Sequence, residues 1–447
     1  MEIAKNSLKA RSFYGIPEII SGRVLLTALF AASVFIISND NALKIASISV
    51  SSLVALLMVA LFIAEGLITG TQALKPHPLQ KPLYILFAWT VASLLASHII
   101  PSKFMPLEAY SFSWATGINS PSYRGYSFLL RLFLSIFAIG FVVSALNTRS
   151  RFLLIVNITI MLYAMVVFYG IAQVFLFIFL DISMGTVLTA PYLRFAGYVG
   201  EPQTFGLLLI SMLFTSIGAL RHRFEGCWFS QNSLKILLIF TVVTLVFTFS
   251  ISMITGALIT TILFLKRFRL RTVFLSVSVT GALVYVFYDF INDALIAKLF
   301  SELTSKNNRT LTWEIGYGII SMNPFSGAGI GQSPLMAKTI SDGINLSFNS
   351  LDFDAYRVAI LNSYIEWTAE TGVIGLLLLA FAGYRAYGFA KISGSSMKDF
   401  TKLAFGGSLI AQLVSANSFG SIFYVGCFNF AIGMYLAGLG LDRDNKI

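Results

Sequence analysis

Two polar segments of an otherwise apolar chain contain arginines that could bind an anionic group. Arg194 lies in LTAPYLRFAGYVGEPQTFGLLL, residues 188–209, and Arg309 begins RTLTWEIGYGIISMNPFSGAGIGQ, residues 309–332. The prolines and glycines of the first segment predict a non-helical loop, and Pro202 suits the first turn of a helix that follows. Free N–H groups and the dipole at a helix start favour negative charge, so this segment predicts an anion site.

Carboxylates accompany both segments. Glu201 stands at the helix start after Arg194, either as a simple cap or as a carboxylate that acts as a base or orienter. Asn362, Glu366 and Glu370 are spaced i, i+4, i+8, which would put all three on one face of a helix. Carboxylates at the mouth of a membrane helix are costly unless they face protein, water or a polar ligand. The spacing predicts either an acid-rich helix start or a face that binds sugar hydroxyls and supplies a base.

The stretch after Arg309 predicts a short helix followed by a glycine-rich turn. Leu311, Ile315 and Ile319 fall on one side of a helix over 309–322, which we expect to pack at the membrane surface. The piece GAGIGQ resembles a dinucleotide fingerprint only superficially, because no strand precedes it. Its glycines predict a plain turn or a backbone whose amides approach a phosphate.

The elements that position these residues must be membrane helices. The chain is 57% hydrophobic and 11% charged, with a mean hydropathy of +0.81, whereas soluble proteins are about a quarter charged. The net charge of +11 is spread in short patches between apolar segments, a pattern that orients membrane helices and does not indicate nucleic acid. Cys227, Cys427 and the DxD-like trio at 352–354 predict no metal site, and no cofactor is expected.

Apolar segments of this length predict an all-α, polytopic fold with about twelve transmembrane helices and a large loop carrying short helices. We place spans near 24–38, 43–65, 82–100, 127–146, 152–180, 204–220, 235–250, 252–265, 272–290, 363–388, 401–417 and 421–440. The count depends on a break near Ile251. Most of the 31 basic residues then lie on the side of both termini, which is therefore expected to be cytoplasmic. Helices 1–9 occupy 1–290 with an outer loop near 182–203, the large periplasmic loop is 291–361, and helices 10–12 occupy 362–447.

Three motifs in this order resemble the polytopic family that contains the O-antigen polymerases (Wzy) and O-antigen ligases (WaaL). They are RFAGYVGEP at 194–202, RTLTWEIGYGIISMNPFSGAGIGQ at 309–332 and NSYIEWTAETGVIGLLLL at 362–379. Family ligases have a histidine before the Asn-Ser pair, but this chain has Leu361 there. The three histidines of the chain, His77, His98 and His222, cannot substitute from their predicted positions. This departure favours a polymerase.

The resemblance implies a metal-independent glycosyltransferase of the bacterial inner membrane, with its active site facing the periplasm. Donor and acceptor would both be oligosaccharides on polyisoprenyl pyrophosphate, and a chain-length regulator is a candidate partner. Guanidinium groups would stabilise the pyrophosphate leaving group, since they stay charged and bind phosphate oxygens in a bidentate fork. The expected catalytic residues are Arg194, Arg309, Glu201 and Glu366, and the expected substrate-binding residues are Arg357, Trp313, Asn362 and Glu370.

Two other functions stay open at this point. One is an O-antigen ligase, which transfers lipid-linked glycan to the lipid A core. The other is a transporter or flippase, a class that tends to show internal repeats and polar residues at the bilayer midplane. The chain shows no repeat, and we expect Asn157, Gln173 and Gln412 to be isolated polar residues within spans.

Overall fold

The protein is a bundle of α-helices in the part of the chain that the computed structural model describes. The described residues are 21–35, 44–45, 48–69, 74–99, 121–183, 187–188, 194–197, 202–222, 226–265, 308–333, 336, 340, 360–393, 395, 397–418, 422 and 426–441. Two antiparallel two-residue ladders accompany the helices. Strand β1 (Lys44–Ile45) pairs with β2 (Ile48–Ser49), and β3 (Val187–Leu188) pairs with β4 (Arg194–Phe195). The predicted all-α class is confirmed.

The helices follow the predicted apolar segments closely. They are α1 Gly22–Phe35, α2 Val50–Thr69, α3 Gln80–Ile99, α4 Pro121–Ala145, α5 Arg149–Leu180, α6 Pro202–Arg221, α7 Gln231–Phe247, α8 Ile251–Leu265, α9 Asn308–Met322, α10 Ser363–Ile392, α11 Lys398–Thr401, α12 Gly407–Ser415 and α13 Gly426–Gly440. A π-helical turn, Lys402–Gly406, joins α11 to α12, and a 3-10 turn, Ala416–Ser418, follows. The predicted span at 272–290 lies outside the described residues.

Several of these helices could cross a membrane. Among the described residues, five helices are long and apolar enough to do so by length and composition, namely α2, α4, α5, α6 and α10. Helices α1, α7, α8 and α13 are apolar but shorter. These helices support a multi-pass membrane protein, and the number twelve stays a prediction.

Helices α7 and α8 meet at a reversal of chain direction. Phe249 in the connection has φ of 47°, an uncommon value for a residue with a side chain. Met253, near the start of α8, lies against Gly206 near the start of α6, and Leu263, near the end of α8, shares a cavity with Arg221 at the end of α6. Helix α8 therefore runs parallel to α6, and the predicted break before it is confirmed.

The two ends of the bundle differ in charge. At one end, which we call the basic end, Arg23 of α1 donates to Glu65 of α2 (Nε to Oε2, 2.7 Å), and the Lys398 ammonium donates to the carbonyls of Lys391 and Ser393. We call the other the loop end, because the segment after α9 lies there. Among the lysine and arginine side chains with described positions, all except Arg131 lie at the basic end. The positive-inside rule expects this distribution if the basic end is cytoplasmic.

The main hydrophobic core surrounds α6, and a smaller one lies beneath the polar loop. In α6 the side chains from Phe205 to Leu209 are almost completely buried. The smaller core joins α9 and the segment after it to the start of α10. Its buried members are Ile315, Ile319, Ala328, Met336, Ile340, Ile360, Ile365 and Ala369. The loop is thus packed on the bundle through its own apolar residues.

Candidate functional site

Helix α10 is interrupted near its start, at Gly372. The backbone of this residue has φ of 70° and ψ of 179°, a conformation that essentially only glycine adopts. The carbonyls of the three preceding residues accept hydrogen bonds from outside the helix. Ala369 accepts from the Ala328 N–H (2.8 Å), Glu370 from the Gly329 N–H (2.9 Å) and Thr371 from the Trp89 indole N–H (2.8 Å). The interruption therefore joins α10 to the glycine-rich turn and to α3.

The glycine-rich turn after α9 is fitted tightly into this interruption. The Val373 N–H donates to the Pro324 carbonyl (2.8 Å), so here α10 is the donor and the segment before the turn is the acceptor. Gly327 has φ of 68°, and a Cβ there would overlap the backbone of Glu370 and Gly372. The N–H groups of residues 327–329 all donate to protein carbonyls. These three amides are therefore engaged within the protein, so the plain-turn interpretation fits them and the phosphate interpretation does not.

Helix α3 contributes three polar side chains that sequence reasoning missed. The Ser93 hydroxyl lies within hydrogen-bonding distance of two carbonyl oxygens, that of Ser326 (2.7 Å) and that of Glu370 (3.1 Å), and Ser97 lies against Gly329. Together with Trp89 these residues are spaced i, i+4, i+8 on α3. This polar stripe on an apolar span was the available signal, because such a stripe faces protein when the rest of the helix faces lipid.

Two carboxylates are buried where α10 begins. Glu366 is 6% exposed and Glu370 is 2% exposed, and the Ser333 hydroxyl donates to Glu370 Oε1 at 2.8 Å. A buried carboxylate is stable only with partners, which makes this a specific polar site. Asn362 was expected to share a helical face with these carboxylates, but it lies outside the helix. It is the N-cap of α10, and its Oδ1 accepts from the N–H groups of the second and third helical residues (3.0 and 3.1 Å).

Helix α9 forms where the apolar spacing predicted a helix, but its apolar side packs against the start of α10 and not against the membrane surface as expected. Ile315 and Ile319 are fully buried. The Trp313 indole N–H donates to the Leu361 carbonyl (3.3 Å), and the Leu361 N–H donates to a threonine hydroxyl of α9 (3.3 Å). The two bonds fix the residue directly before the N-cap of α10.

The segment that contains Arg194 is held by neighbouring aromatic residues and one amide. Phe195 is fully buried and packs with Phe247 at the end of α7. Gln173 of α5 accepts from the Gly197 N–H at 3.0 Å, and Phe205 lies beneath that glycine. The backbone of Arg194 therefore lies at the loop end, next to the start of α6 at its predicted position.

Some predicted site positions cannot be related to these contacts. Arg309 is the second residue of α9, so its backbone also lies at the loop end. The side chains of Arg194 and Arg309, and residues Glu201, Arg357 and 352–354, lie outside the described part of the chain. Within the part that is described, no group of three or more His, Cys, Asp or Glu residues could hold a metal ion.

The polar residues expected to be isolated within spans are not isolated. The Gln412 amide donates to the hydroxyls of Ser211 (2.6 Å) and Ser408 (2.9 Å), which joins α12 to α6. Asn157 donates to the Gly226 carbonyl and accepts from a neighbouring backbone N–H, while Gln173 holds Gly197. The expectation was wrong because each residue binds a segment distant in sequence, and all three tie separate segments together.

Comparison with known proteins supports the family resemblance. The family model described as O-antigen ligase, Wzy_C, matches residues 233–380. The match begins in α7, includes α9 and the glycine-rich turn, and ends within α10, so it contains the second and third motifs but not the one around Arg194. No curated protein matches the chain. The matched residues make up about a third of the chain, so the comparison shows similarity to this family over that part.

Proposed function

We propose that this protein is an O-antigen polymerase, which joins oligosaccharide repeat units carried on polyisoprenyl pyrophosphate at the periplasmic face of the inner membrane. One observation supports this most directly. The family-matched stretch forms a polar site with two buried carboxylates, Glu366 and Glu370, at the end of the bundle where the backbones of Arg194 and Arg309 also lie. Cations and carboxylates at one membrane boundary suit transfer of a sugar from a phosphate leaving group.

In the proposed reaction, an acceptor hydroxyl attacks the anomeric carbon of the donor. The bond from that carbon to the pyrophosphate oxygen breaks, and polyisoprenyl pyrophosphate leaves with the electron pair. Arg194 and Arg309, with Arg357 as a third cation, neutralise the developing charge through bidentate hydrogen bonds. Glu366 or Glu201 accepts the proton of the hydroxyl. Trp313, Asn362 and Glu370 would orient the sugars, and no metal takes part.

The residue before the N-cap of α10 favours the polymerase over the ligase. Family ligases are expected to use a histidine there, and Leu361 has no side-chain group that can transfer a proton. The matching family is nevertheless described as O-antigen ligase, so transfer to lipid A core is the second candidate. A null mutant separates the two. Single-repeat glycan on lipid A core would indicate a polymerase, and unglycosylated core with accumulating lipid-linked polymer would indicate a ligase.

A transport function is less well supported by the interruption in α10. Transporters use interrupted helices whose free carbonyls face a substrate or ion in a cavity. Here the carbonyls of Ala369, Glu370 and Thr371 all accept from protein groups, so they join the helix to its neighbours.

The arginine roles can be tested by complementing a null mutant with Arg194→Ala and with Arg309→Ala. Each variant should abolish long glycan chains at normal protein level, because loss of one cation removes several kcal/mol, on the order of 3, of leaving-group stabilisation. Arg385→Ala is the matched control, since Arg385 is exposed at the basic end. Long chains with both variants would exclude the proposed role. In a reconstituted assay, activity lost on adding EDTA and restored by a divalent ion would exclude metal independence.

A further inference from the structure

A mainly apolar cavity with charged side chains in its lining lies at the basic end, remote from the site above. It has a volume of about 270 Å³ and opens between the end of α6, the end of α8 and the segment from α11 into the π-helical turn. This volume is close to the lower limit of ligand-sized pockets, about 300 Å³. The lining includes Arg221, His222, Leu263, Phe264, Asp399 and Lys402.

The cavity combines two cations and a carboxylate with an apolar wall. Arg221 and Lys402 provide a guanidinium and an ammonium group, the pairing that binds phosphodiester oxygens in many proteins. Leu263 forms part of the wall and is 62% exposed, although it belongs to an apolar helix. In a membrane protein such a residue faces lipid tails. A ligand of this cavity can therefore keep a charged group between the cations and an acyl chain along α8.

The remaining polar groups favour a head group with hydroxyls. Asp399 repels a doubly charged phosphomonoester, but its oxygens accept hydrogen bonds from hydroxyl groups. The two cations balance the charges of one carboxylate and one phosphodiester.

The position of Lys402 is a second, independent indication of a binding site. Lys402 begins the π-helical turn Lys402–Gly406, and such turns occur frequently at functional sites. The basic end is also the end that the charge distribution assigns to the cytoplasmic leaflet. Basic pockets between membrane helices on that side bind anionic lipid head groups.

From these contacts we infer that the cavity binds the head group of an anionic, hydroxyl-bearing phospholipid of the phosphatidylglycerol class. The phosphodiester lies between Arg221 and Lys402, the glycerol hydroxyls donate to Asp399, and an acyl chain follows Leu263. This site is separate from the proposed transfer site and does not depend on that function.

The test is lipid retention by the purified full-length protein, measured by native mass spectrometry in detergent. Phosphatidylglycerol and phosphatidylcholine with identical acyl chains are compared. Wild type should retain phosphatidylglycerol selectively, and Arg221→Ala combined with Lys402→Ala should bind it about 30-fold more weakly, at roughly fivefold for each cation. The matched control combines Arg385→Ala with Lys391→Ala, which removes the same charge from exposed positions at the same end.

Several outcomes decide the assignment. Equal loss in the control pair would mean a diffuse charge effect and would overturn the site, as would equal retention of phosphatidylcholine by wild type. Displacement of the lipid by millimolar glycerol 3-phosphate or inorganic phosphate, with equal thermal stabilisation, would identify a soluble anion as the ligand instead. If the double variant does not fold, Lys402→Gln alone should still weaken retention about fivefold. Asp399→Asn should raise the retention of phosphatidic acid, and an unchanged preference would contradict the role given to the carboxylate.

Discussion

Helices α6 and α10 satisfy their backbones in two different ways. Within the most apolar 18 residues of each helix, 89% are buried in α6 but only 22% in α10. Helix α6 is continuous, and its Ser211 and Thr215 hydroxyls bond carbonyls of the same helix. Helix α10 is interrupted at Gly372, and the three carbonyls before the interruption accept hydrogen bonds from α3 and from the glycine-rich turn. Within a bilayer every backbone group needs a protein partner. Packing and side-chain hydrogen bonds therefore hold the scaffold helix, whereas hydrogen bonds to its own backbone carbonyls hold the site helix.

The largest effect should come from Gly372→Ala, which removes the interruption. A Cβ would overlap the Phe325 carbonyl, and the backbone conformation is one that alanine avoids. Strain and lost hydrogen bonds together should cost more than about 3 kcal/mol, so we expect a large fall in the thermal unfolding temperature in detergent and loss of glycan assembly.

The matched control for this change is Gly383→Ala, on the same helix. A Cβ at Gly383 meets nothing within 4 Å, and alanine is the better helix former by about 1 kcal/mol. This variant should be as stable as wild type or slightly more stable. If both variants unfolded at the wild-type temperature, the interruption would not be what joins α10 to the loop.

A smaller effect is expected from Trp89→Phe and Ser93→Ala, which remove donors on α3 from the interrupted backbone. Trp89→Phe keeps an aromatic ring but leaves the buried Thr371 carbonyl without its indole donor, a cost of about 1–3 kcal/mol. Thr159→Val is the control, because the Thr159 hydroxyl bonds only a carbonyl of its own helix in the described contacts. Equal destabilisation by control and test variants in thermal unfolding would remove the distinction between the two kinds of helix.

On the scaffold side, Gln412→Leu should destabilise the protein by about 0.6–1.7 kcal/mol, which are the average and the maximum measured for hydrogen bonds between membrane helices. The Ser408 and Ser211 hydroxyls, 3.0 Å apart, keep each other as partners when the amide is lost. Glycan chain length should therefore remain that of wild type, measured on lipopolysaccharide gels. Complete loss of activity in a stable variant would instead show that this cluster takes part in function and not only in packing.

The sequence predicted local features of the fold better than contacts between distant segments. Apolar periodicity located α9, proline located the start of α6, and the break before α8 followed from segment length. The interruption at Gly372 was not foreseen, because ETGVIG fits a continuous helix and its partners lie about 45 residues earlier and on α3. Asn362 was placed on a helical face by spacing alone, whereas its short amide side chain made it a cap. The arginine roles remain predictions.

The smallest effect concerns His77, in the connection between α2 and α3 at the basic end. Burial lowers its pKa from 6.5 to about 4, and its Nδ1 is buried without a hydrogen-bond partner among the described residues. In the unfolded chain His77 therefore binds a proton below about pH 6.5, whereas in the folded protein it binds one only below about pH 4. This group leaves stability intact above pH 6.5 and reduces it as the pH falls towards 4, by less than about 1 kcal/mol at pH 6.

His77→Gln should flatten the pH dependence of the unfolding temperature between pH 7.5 and 6, relative to wild type. Thr159→Val, which removes no titratable group, is the control and should leave the slope unchanged. Parallel curves for wild type and His77→Gln would mean that the ring is solvated in the folded protein. A flattened curve would mean that burial of His77, in the connection between α2 and α3, lowers stability at acidic pH. The comparison between the two kinds of helix would then also apply to the connections between helices.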